Sequence, residues 1–272
     1  MSEVDGEVKV RVDIDAGVAT VQLDAPEKRN ALGATLVGQL QSGLRRAADD
    51  PQVRAIVLTH SGGTFCAGAD LSEALASGMS VEDASSAGTR SMIDLMRIII
   101  ETPKPVIARI DGHVRAGGFG LIGASDIVLA GPRCTFALTE ARLGVAPSVI
   151  SLVLLPKMSG RAPGRYFLTG ETFDPARAVE IGLVTEAFDS ADALDDGVAT
   201  VLNGVRRASP QGLAASKALT TASLLASFAA SADRRAQESA ALFASDEARA
   251  GMTAFLSKKA PPWDLTAAAE PS

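Results

Sequence analysis

Apolar and polar positions alternate over residues 7–14 and again over 18–23, on either side of Asp15-Ala16-Gly17. That spacing predicts two strands joined as a hairpin. A polar loop, Asp24-Ala-Pro-Glu-Lys-Arg-Asn30, leads into a helix expected over 33–49. Short, almost uniformly apolar runs follow at Arg54–Thr59, Pro105–Ile110 and Asp126–Ala130, each bounded by turn residues, as in strands buried on both faces. Ser61-Gly62-Gly63-Thr64 turns the chain after the first run and leads to Phe65–Asp70. A helix over 82–101 should stop before Pro103 and Pro105, which cannot continue it. Asp111-Gly112 makes the next turn, and the Gly-rich stretch 116–123 opens a short helix. From Ala162 the pattern becomes helical, over 162–169, 175–181, 191–207, 211–225 and 229–256. Strands alternating with helices, then helices alone, predict an α/β core with a helical C-terminal region. The expected division is 1–204 for the core, 205–263 for the helical region and 264–272 for a disordered tail. No internal repeat is visible.

Composition narrows the classes. A chain of 272 residues, 47% hydrophobic and 21% charged, can bury a large core, and at 4% aromatic that core is aliphatic. The net charge of −6 argues against nucleic acid as a partner, although local cations and backbone N–H groups can still bind an anion. The first residues, Met1-Ser-Glu-Val-Asp-Gly-Glu, have neither the basic start nor the apolar stretch of a secretory signal. No run of apolar residues approaches the roughly 20 needed to span a bilayer. The expectation is a cytoplasmic protein without a membrane partner. Cys66 and Cys134 have no metal or disulfide spacing and read as small buried apolar groups. His60 and His113 are too few for a metal site and read as hydrogen-bonded structural residues beside strands. Neither metal nor cofactor is expected.

Two segments carry candidate chemistry. In Phe65-Cys-Ala-Gly-Ala-Asp70, small residues after an apolar strand let another molecule approach the main chain, and Gly68 frees the backbone. In Gly112–Gly120 (GHVRAGGFG), Gly117-Gly118 at a helix start would present unpaired N–H groups. Alone, each could be an ordinary packing turn. Together they can bring two backbone donors, Ala69 and Gly117, onto one carbonyl oxygen, which is the construction of an oxyanion hole.

The chain resembles the enoyl-CoA hydratase/isomerase (crotonase) family from about residue 8 to residue 263. The matching pieces are Arg29-Asn30-Ala31-Leu32, FCAGADLSE at 65–73, Lys104-Pro-Val-Ile-Ala108, Gly117-Gly118 and Ser125-Asp126-Ile127. They continue with Phe136, Glu140, Leu143-Gly144, Pro147, the run Ala178–Val184 and Gly251–Phe255. The resemblance implies an α/β fold, a crotonase-like spiral of repeated ββα units with a C-terminal helical trimerisation region, assembling as a trimer or hexamer. It implies an acyl-CoA thioester substrate, with coenzyme A part of that substrate. It puts the oxyanion hole on the backbones of Ala69 and Gly117, and the adenine near Ala67 and the loop at 28–31, which includes Ala31. Phosphates would meet Lys28, Arg29 and, from a neighbouring subunit, Lys258. Gly68, Asp70, Gly118, Gly120 and Phe255 complete the implied substrate-binding set. Read without the family, Lys28, Arg29 and Lys258 are simply exposed cations.

The resemblance also exposes a departure. Hydratases of the family carry two glutamates; the second falls on Glu140, the first on Gly120, which has no side chain. Glu140 is left as the single candidate acid/base, or as a structural glutamate paired with Arg142. Pro147–Pro156, with Ser148 and Ser151, and Tyr166-Phe-Leu-Thr169 resemble hydratases of the methylglutaconyl-CoA type. The two serines can line a pocket or cap a helix. The leading reading is an enoyl-CoA hydratase. The alternatives are a Δ3,Δ2-enoyl-CoA isomerase, for which one base suffices, and an acyl-CoA-binding protein without turnover.

Overall fold

The computed structural model describes residues 7–70 and 81–266. Strands β1 (Val10–Asp15) and β2 (Val18–Leu23) pair antiparallel, with Asp15 opposite Val18. Ala16 and Gly17 turn the chain with φ of 46° and 80°, the doubly left-handed loop that suits a twisted hairpin. Helix α1 (Ala34–Asp49) lays Leu36, Leu40, Leu44 and Ala47 on the core at helical spacing.

The chain then winds. β3 (Ala55–His60), β5 (Val106–Ile110), β7 (Ile127–Ala130) and β9 (Glu186–Ala187) add in parallel to the hairpin, giving a six-stranded sheet in the order β1-β2-β3-β5-β7-β9. β4 (Thr64–Cys66), β6 (His113–Arg115) and β8 (Phe136–Ala137) form a second, parallel sheet in the order β4-β6-β8. Each turn of the spiral gives one strand to each sheet. The helices between turns are α2 (Val81–Glu101), between β4 and β5, and α3 (Gly117–Ala124), between β6 and β7. This is the α/β spiral of ββα units that the family resemblance implies.

The apolar runs are uniform because the large sheet is covered on both faces. Ile56, Leu58, Val106, Ala108, Ile110 and Val128 face the main core with α1, α2 and α3. Ala55, Val57, Ile107 and Leu129 face Leu194, Val198 and Leu202 of a helix at Ala191–Arg206. A ring cluster ties α3 to the small sheet: Phe119 packs edge-on to Phe136 at 6.1 Å, and Phe136 stacks on Phe173 at 5.4 Å. Such pairs add about 0.5–1.5 kcal/mol beyond area burial.

The later helices are α4 (Ser151–Leu154), α5 (Ala162–Thr169), α6 (Pro175–Glu180), α7 (Ala191–Arg206), α8 (Pro210–Phe243) and α9 (Asp246–Leu256). The expected break between 225 and 229 does not occur. Leu224, Phe228 and Ala232 instead form one buried stripe of a 34-residue helix. The break falls at Ala244-Ser245, where the Ser245 hydroxyl accepts the Ala248 N–H, and Asp246 and Glu247 occupy the first turn of α9. A serine cap followed by acids is a helix start, and it outweighs the continuing apolar period.

By length and composition α8 is long and apolar enough to cross a membrane, although its alanines and scattered leucines make no continuous apolar run. Its lysine ties it to the core. Lys217 Nζ donates to Ile99 O at 2.8 Å and Lys104 O at 3.0 Å, and pairs with Asp126 at 2.7 Å. Of the expected tail, Asp264–Thr266 make a small turn closed by the Asp264 carboxylate, and 267–272 lie outside the described residues.

Candidate active site

β4, β6 and β8 run parallel, so the segments leaving their C-terminal ends emerge on one side. Cys66, Val114 and Phe136 stand opposite one another across the small sheet. Continuing from that row, β4 reaches Ala69, β6 reaches Gly117 and β8 reaches Glu140. With neighbouring strands about 4.8 Å apart, three short loops carry the candidate groups out side by side.

The first two loops touch. Gly68 has φ +96°, and a methyl group there would lie 2.7 Å from the Ala116 side chain and 3.7 Å from the Gly117 nitrogen. A methyl group on Gly117 would lie 2.6 Å from Leu32 Cδ1. Ala116 launches α3 from φ 43°, ψ −115°, a sparsely populated conformation that costs about 1–3 kcal/mol and must be imposed by its surroundings. The Ala69 and Gly117 N–H groups have no hydrogen-bond partner among the described residues. Gly118 lets α3 sit on β4, because a Cβ there would meet Cys66 Cβ at 2.9 Å.

The loop after β2 borders the first donor. It makes a short turn at Pro26–Lys28, and Arg29 and Asn30 follow with φ of 54° and 51°. It lies along residues 67–70: Ala67 N donates to Arg29 O at 3.1 Å, Leu32 N to Gly68 O at 2.7 Å and Asp70 N to Leu32 O at 3.4 Å. Lys28 pairs with the nearly buried Asp70 at 3.3 Å. The sequence-predicted residues Lys28, Arg29, Ala31, Ala67, Gly68, Ala69 and Asp70 are therefore brought together here; Leu71–Glu73 of the same motif lie outside the described residues. Cys66 is buried behind them. Its Sγ accepts the Gly68 N–H at 3.4 Å, and burial pushes the thiol up to about 12, so it stays neutral.

Glu140 opens a single turn, Glu140–Leu143, that ends on Gly144 at φ +75°. Its Oε2 is buried with no hydrogen-bond partner among the described residues. Burial pushes the carboxyl up to about 7, only partly offset by a hydrogen bond from its own main-chain N–H. Arg142 is not its partner, because that guanidinium donates to Thr169 O at 3.0 and 2.8 Å. Helix α9 backs the turn closely: a Cβ on Gly251 would lie 2.5 Å from Leu143 O, and one on Gly144 2.7 Å from the Glu247 main chain.

Gly120 faces apolar groups. A Cβ there would meet Met92 Cε at 2.3 Å, Ile150 Cγ2 at 3.0 Å and Met96 Sδ at 3.0 Å. Met92 also lies 3.8 Å from the Cβ position of Gly117, a neighbour that no local pattern of residues points to. Ser151 donates to Ser148 O at 2.6 Å, so this hydroxyl serves its own helix start. His60 Nε2 accepts the Asp111 N–H, and His113 Nδ1 bonds Thr135 Oγ1, both structural contacts as expected. Phe255, 57% exposed on α9, and Lys258 have no hydrogen bond or ion pair with the 28–32 or 67–70 loops among the described residues.

Comparison with known proteins agrees with this architecture. A family model described as enoyl-CoA hydratase/isomerase matches residues 13–265. A Rhodobacter capsulatus protein named probable enoyl-CoA hydratase is 32% identical over 254 residues, 93% of this chain and 96% of its own. A peroxisomal Delta(3,5)-Delta(2,4)-dienoyl-CoA isomerase from Arabidopsis thaliana is 29% identical over 266 residues, covering 93% and 94%. The crystal structure of an enoyl-CoA hydratase from Mycobacterium avium superposes with a TM-score of 0.87 at 55% identity, covering 95% of this chain and all of that one.

Proposed function

The chain belongs to the enoyl-CoA hydratase/isomerase family, and from that premise we propose that it is an enoyl-CoA hydratase using Ala69, Gly117 and Glu140. The observation that carries this reading is the convergence, on the same end of the small sheet, of two backbone N–H groups and one buried carboxyl oxygen that have no hydrogen-bond partner among the described residues. The thioester carbonyl lies between the Ala69 and Gly117 donors, and the enolate that forms as water adds at the β-carbon is stabilised there. A donor of this kind typically contributes about 2.7–4 kcal/mol. Glu140, poised near neutral pH, takes the proton from water and returns it at the α-carbon. Lys28 and Arg29, with the main chain at 67–68, border the CoA moiety, so free CoA competes and salt weakens it.

A second reading is a Δ3,Δ2-enoyl-CoA isomerase. The apolar packing of Met92, Met96 and Ile150 around Gly120 favours it, since a base that moves one proton between two carbons needs no second carboxylate. The dienoyl-CoA isomerase among the relatives is consistent with this. Incubation with a panel of 2-enoyl- and 3-enoyl-CoAs, 3-methylglutaconyl-CoA included, followed by mass and product analysis, decides. A gain of one water supports the hydratase, and an isobaric shift of the double bond supports the isomerase. Binding without either product leaves an acyl-CoA-binding protein.

The proposed assembly is a trimer or a pair of trimers, covering Leu219, Phe255 and Leu256, which are 82%, 57% and 55% exposed in one chain. In that assembly Lys258 would meet a neighbour's CoA. Light scattering at micromolar protein should give three or six chain masses; one chain mass refutes it.

A further inference from the structure

The Ala69 N–H belongs to the same planar unit as the Gly68 carbonyl, and in a trans peptide the two point in opposite directions. No cis bond occurs among the described residues, and the Gly68 carbonyl accepts the Leu32 N–H at 2.7 Å. Whatever holds Leu32 therefore fixes where the Ala69 N–H points. Leu32 gains its place from the preceding residues, and among them Asn30 is unusual. It is fully buried, it is left-handed at φ 51°, and its side chain makes three hydrogen bonds, all to main chain. Oδ1 accepts the Ala25 N–H at 2.8 Å, and Nδ2 donates to Ser61 O at 3.0 Å and Thr64 O at 2.8 Å. Asparagine tolerates this φ better than most residues, and its amide is the group that can accept within its own loop and donate twice to the turn between β3 and β4. Ser61 and Thr64 bracket the turn from β3 into β4, so Asn30 ties the start of β4 to the loop that lies along its far end.

We infer that Asn30 is a positioning residue for the proposed oxyanion donor, holding the Leu32 N–H on the Gly68 carbonyl so that the Ala69 N–H faces the substrate carbonyl. The same residue reaches the second donor, because Leu32 Cδ1 packs on the Gly117 position. One buried amide thus sets both donors without touching the substrate. The inference rests on the oxyanion reading of Ala69 and Gly117.

The test uses the intact protein and butanoyl-CoA labelled with carbon-13 at the thioester carbonyl, whose stretching frequency falls when a hydrogen-bond donor pair polarises it. The variants are Asn30→Asp, which keeps the acceptor and the backbone preference but turns oxygen toward the Ser61 and Thr64 carbonyls, and Asn30→Gly, which accepts the φ and removes all three bonds. The expected result is a frequency drop in the wild type that shrinks by at least half in both variants. With the enoyl-CoA that the wild type turns over best, kcat should fall by about ten- to a hundredfold, part of what loss of a whole donor costs, while KM changes little. A frequency drop retained in folded variants overturns the role of Asn30 and leaves the oxyanion hole standing. No binding or no shift in the wild type overturns the oxyanion reading and the inference with it. Should both variants fail to fold, amide exchange in the wild type remains: the Leu32 N–H must be among the slowly exchanging loop amides, and rapid exchange there sinks the proposal.

Discussion

Around Ala69 and Gly117 the chain is held at almost every atom that could turn. The Gly68 carbonyl is on the Leu32 N–H, the Gly68 N–H on Cys66 Sγ, and a methyl group on Gly68 would run into the Ala116 side chain. Around Glu140 the reverse holds. The turn is backed by α9, but the carboxyl oxygen Oε2 has no hydrogen bond among the described residues, and burial moves the group up to about 7. The difference follows from the two tasks proposed for them. Stabilising a developing oxyanion needs fixed dipoles, which work because they need not reorganise. Exchanging a proton at neutral pH needs a group with comparable populations of both forms, and desolvation without a compensating partner produces that. Leaving such an oxygen unsatisfied costs about 1–3 kcal/mol, a cost that a purely structural glutamate would have no reason to carry.

The largest effect should come from the side held by one group. Glu140→Gln keeps size and removes proton exchange, so turnover should fall about 10²–10⁴-fold with CoA affinity nearly unchanged. Steady-state rates with the best enoyl-CoA and calorimetry with free CoA check both parts. Near-normal turnover would remove Glu140 from the chemistry. On the other side, Gly68→Ala forces a methyl group against Ala116 at a φ of +96°, and the Ala116 Cβ has no flexible end to swing away. The backbone must shift at both donors, and kcat should drop by about 10²-fold, near the value for losing one donor. A folded Gly68→Ala enzyme with unchanged kcat would show that this side is not held as tightly as its contacts indicate.

The contrast also has a pH signature. Glu140 binds its proton more tightly folded than unfolded, its carboxyl being raised from 4.5 to about 7. Between those values the folded state holds the extra proton, so this contribution is present below about pH 4.5 and is lost as pH rises through 7. The loss should amount to about 3 kcal/mol at most. Urea unfolding at pH 5 and pH 8 should show the wild type losing stability relative to Glu140→Gln over that interval. The activity should rise with pH through a limb near 7, as for a base, and that limb should vanish in the variant. The donor-side variants should leave both profiles in place, since they leave Glu140 and the burial that raises it unchanged.

What could be read in advance follows from how local each feature is. The glycine turns at 65–70 and 112–120 were legible because close backbone contact admits only small residues, and the three apolar runs because strands buried on both faces carry no polar positions. β6, β8 and β9 were not, since two or three residues are too few for a period. The helix break was misplaced because the apolar stripe through Phe228 is a clearer pattern than the cap at Ser245. Glu140 stood out through family resemblance; nothing local in Thr139-Glu-Ala-Arg142 shows that Oε2 would be left unpaired or that Arg142 would turn to Thr169. Asn30 was visible only as part of a matching stretch, since its bonds to Ser61 and Thr64 cross from one turn of the spiral to the next.

The smallest expected effect sharpens the comparison most, because it asks whether a second carboxylate can be added to the side that has one. Gly120→Glu would place its Cβ 2.3 Å from Met92 Cε and 3.0 Å from Ile150 and Met96, inside an apolar wall. The closest neighbour is the end of a flexible side chain, so the wall can yield, at an overpacking cost of about 1–3 kcal/mol. Burial without a partner would also raise the new carboxyl. The single variant should therefore be less stable and slower on the native substrate. Met92→Ala in the same chain removes the closest contact and opens room for the carboxylate and a water. The double variant should regain part of the lost stability, measured by urea unfolding. It should also gain hydration of straight-chain 2-enoyl-CoAs relative to either single change. If the double variant hydrates no better than Met92→Ala alone, the apolar wall is not what limits this side of the site. Glu140 would then supply all the proton transfer that the reaction needs.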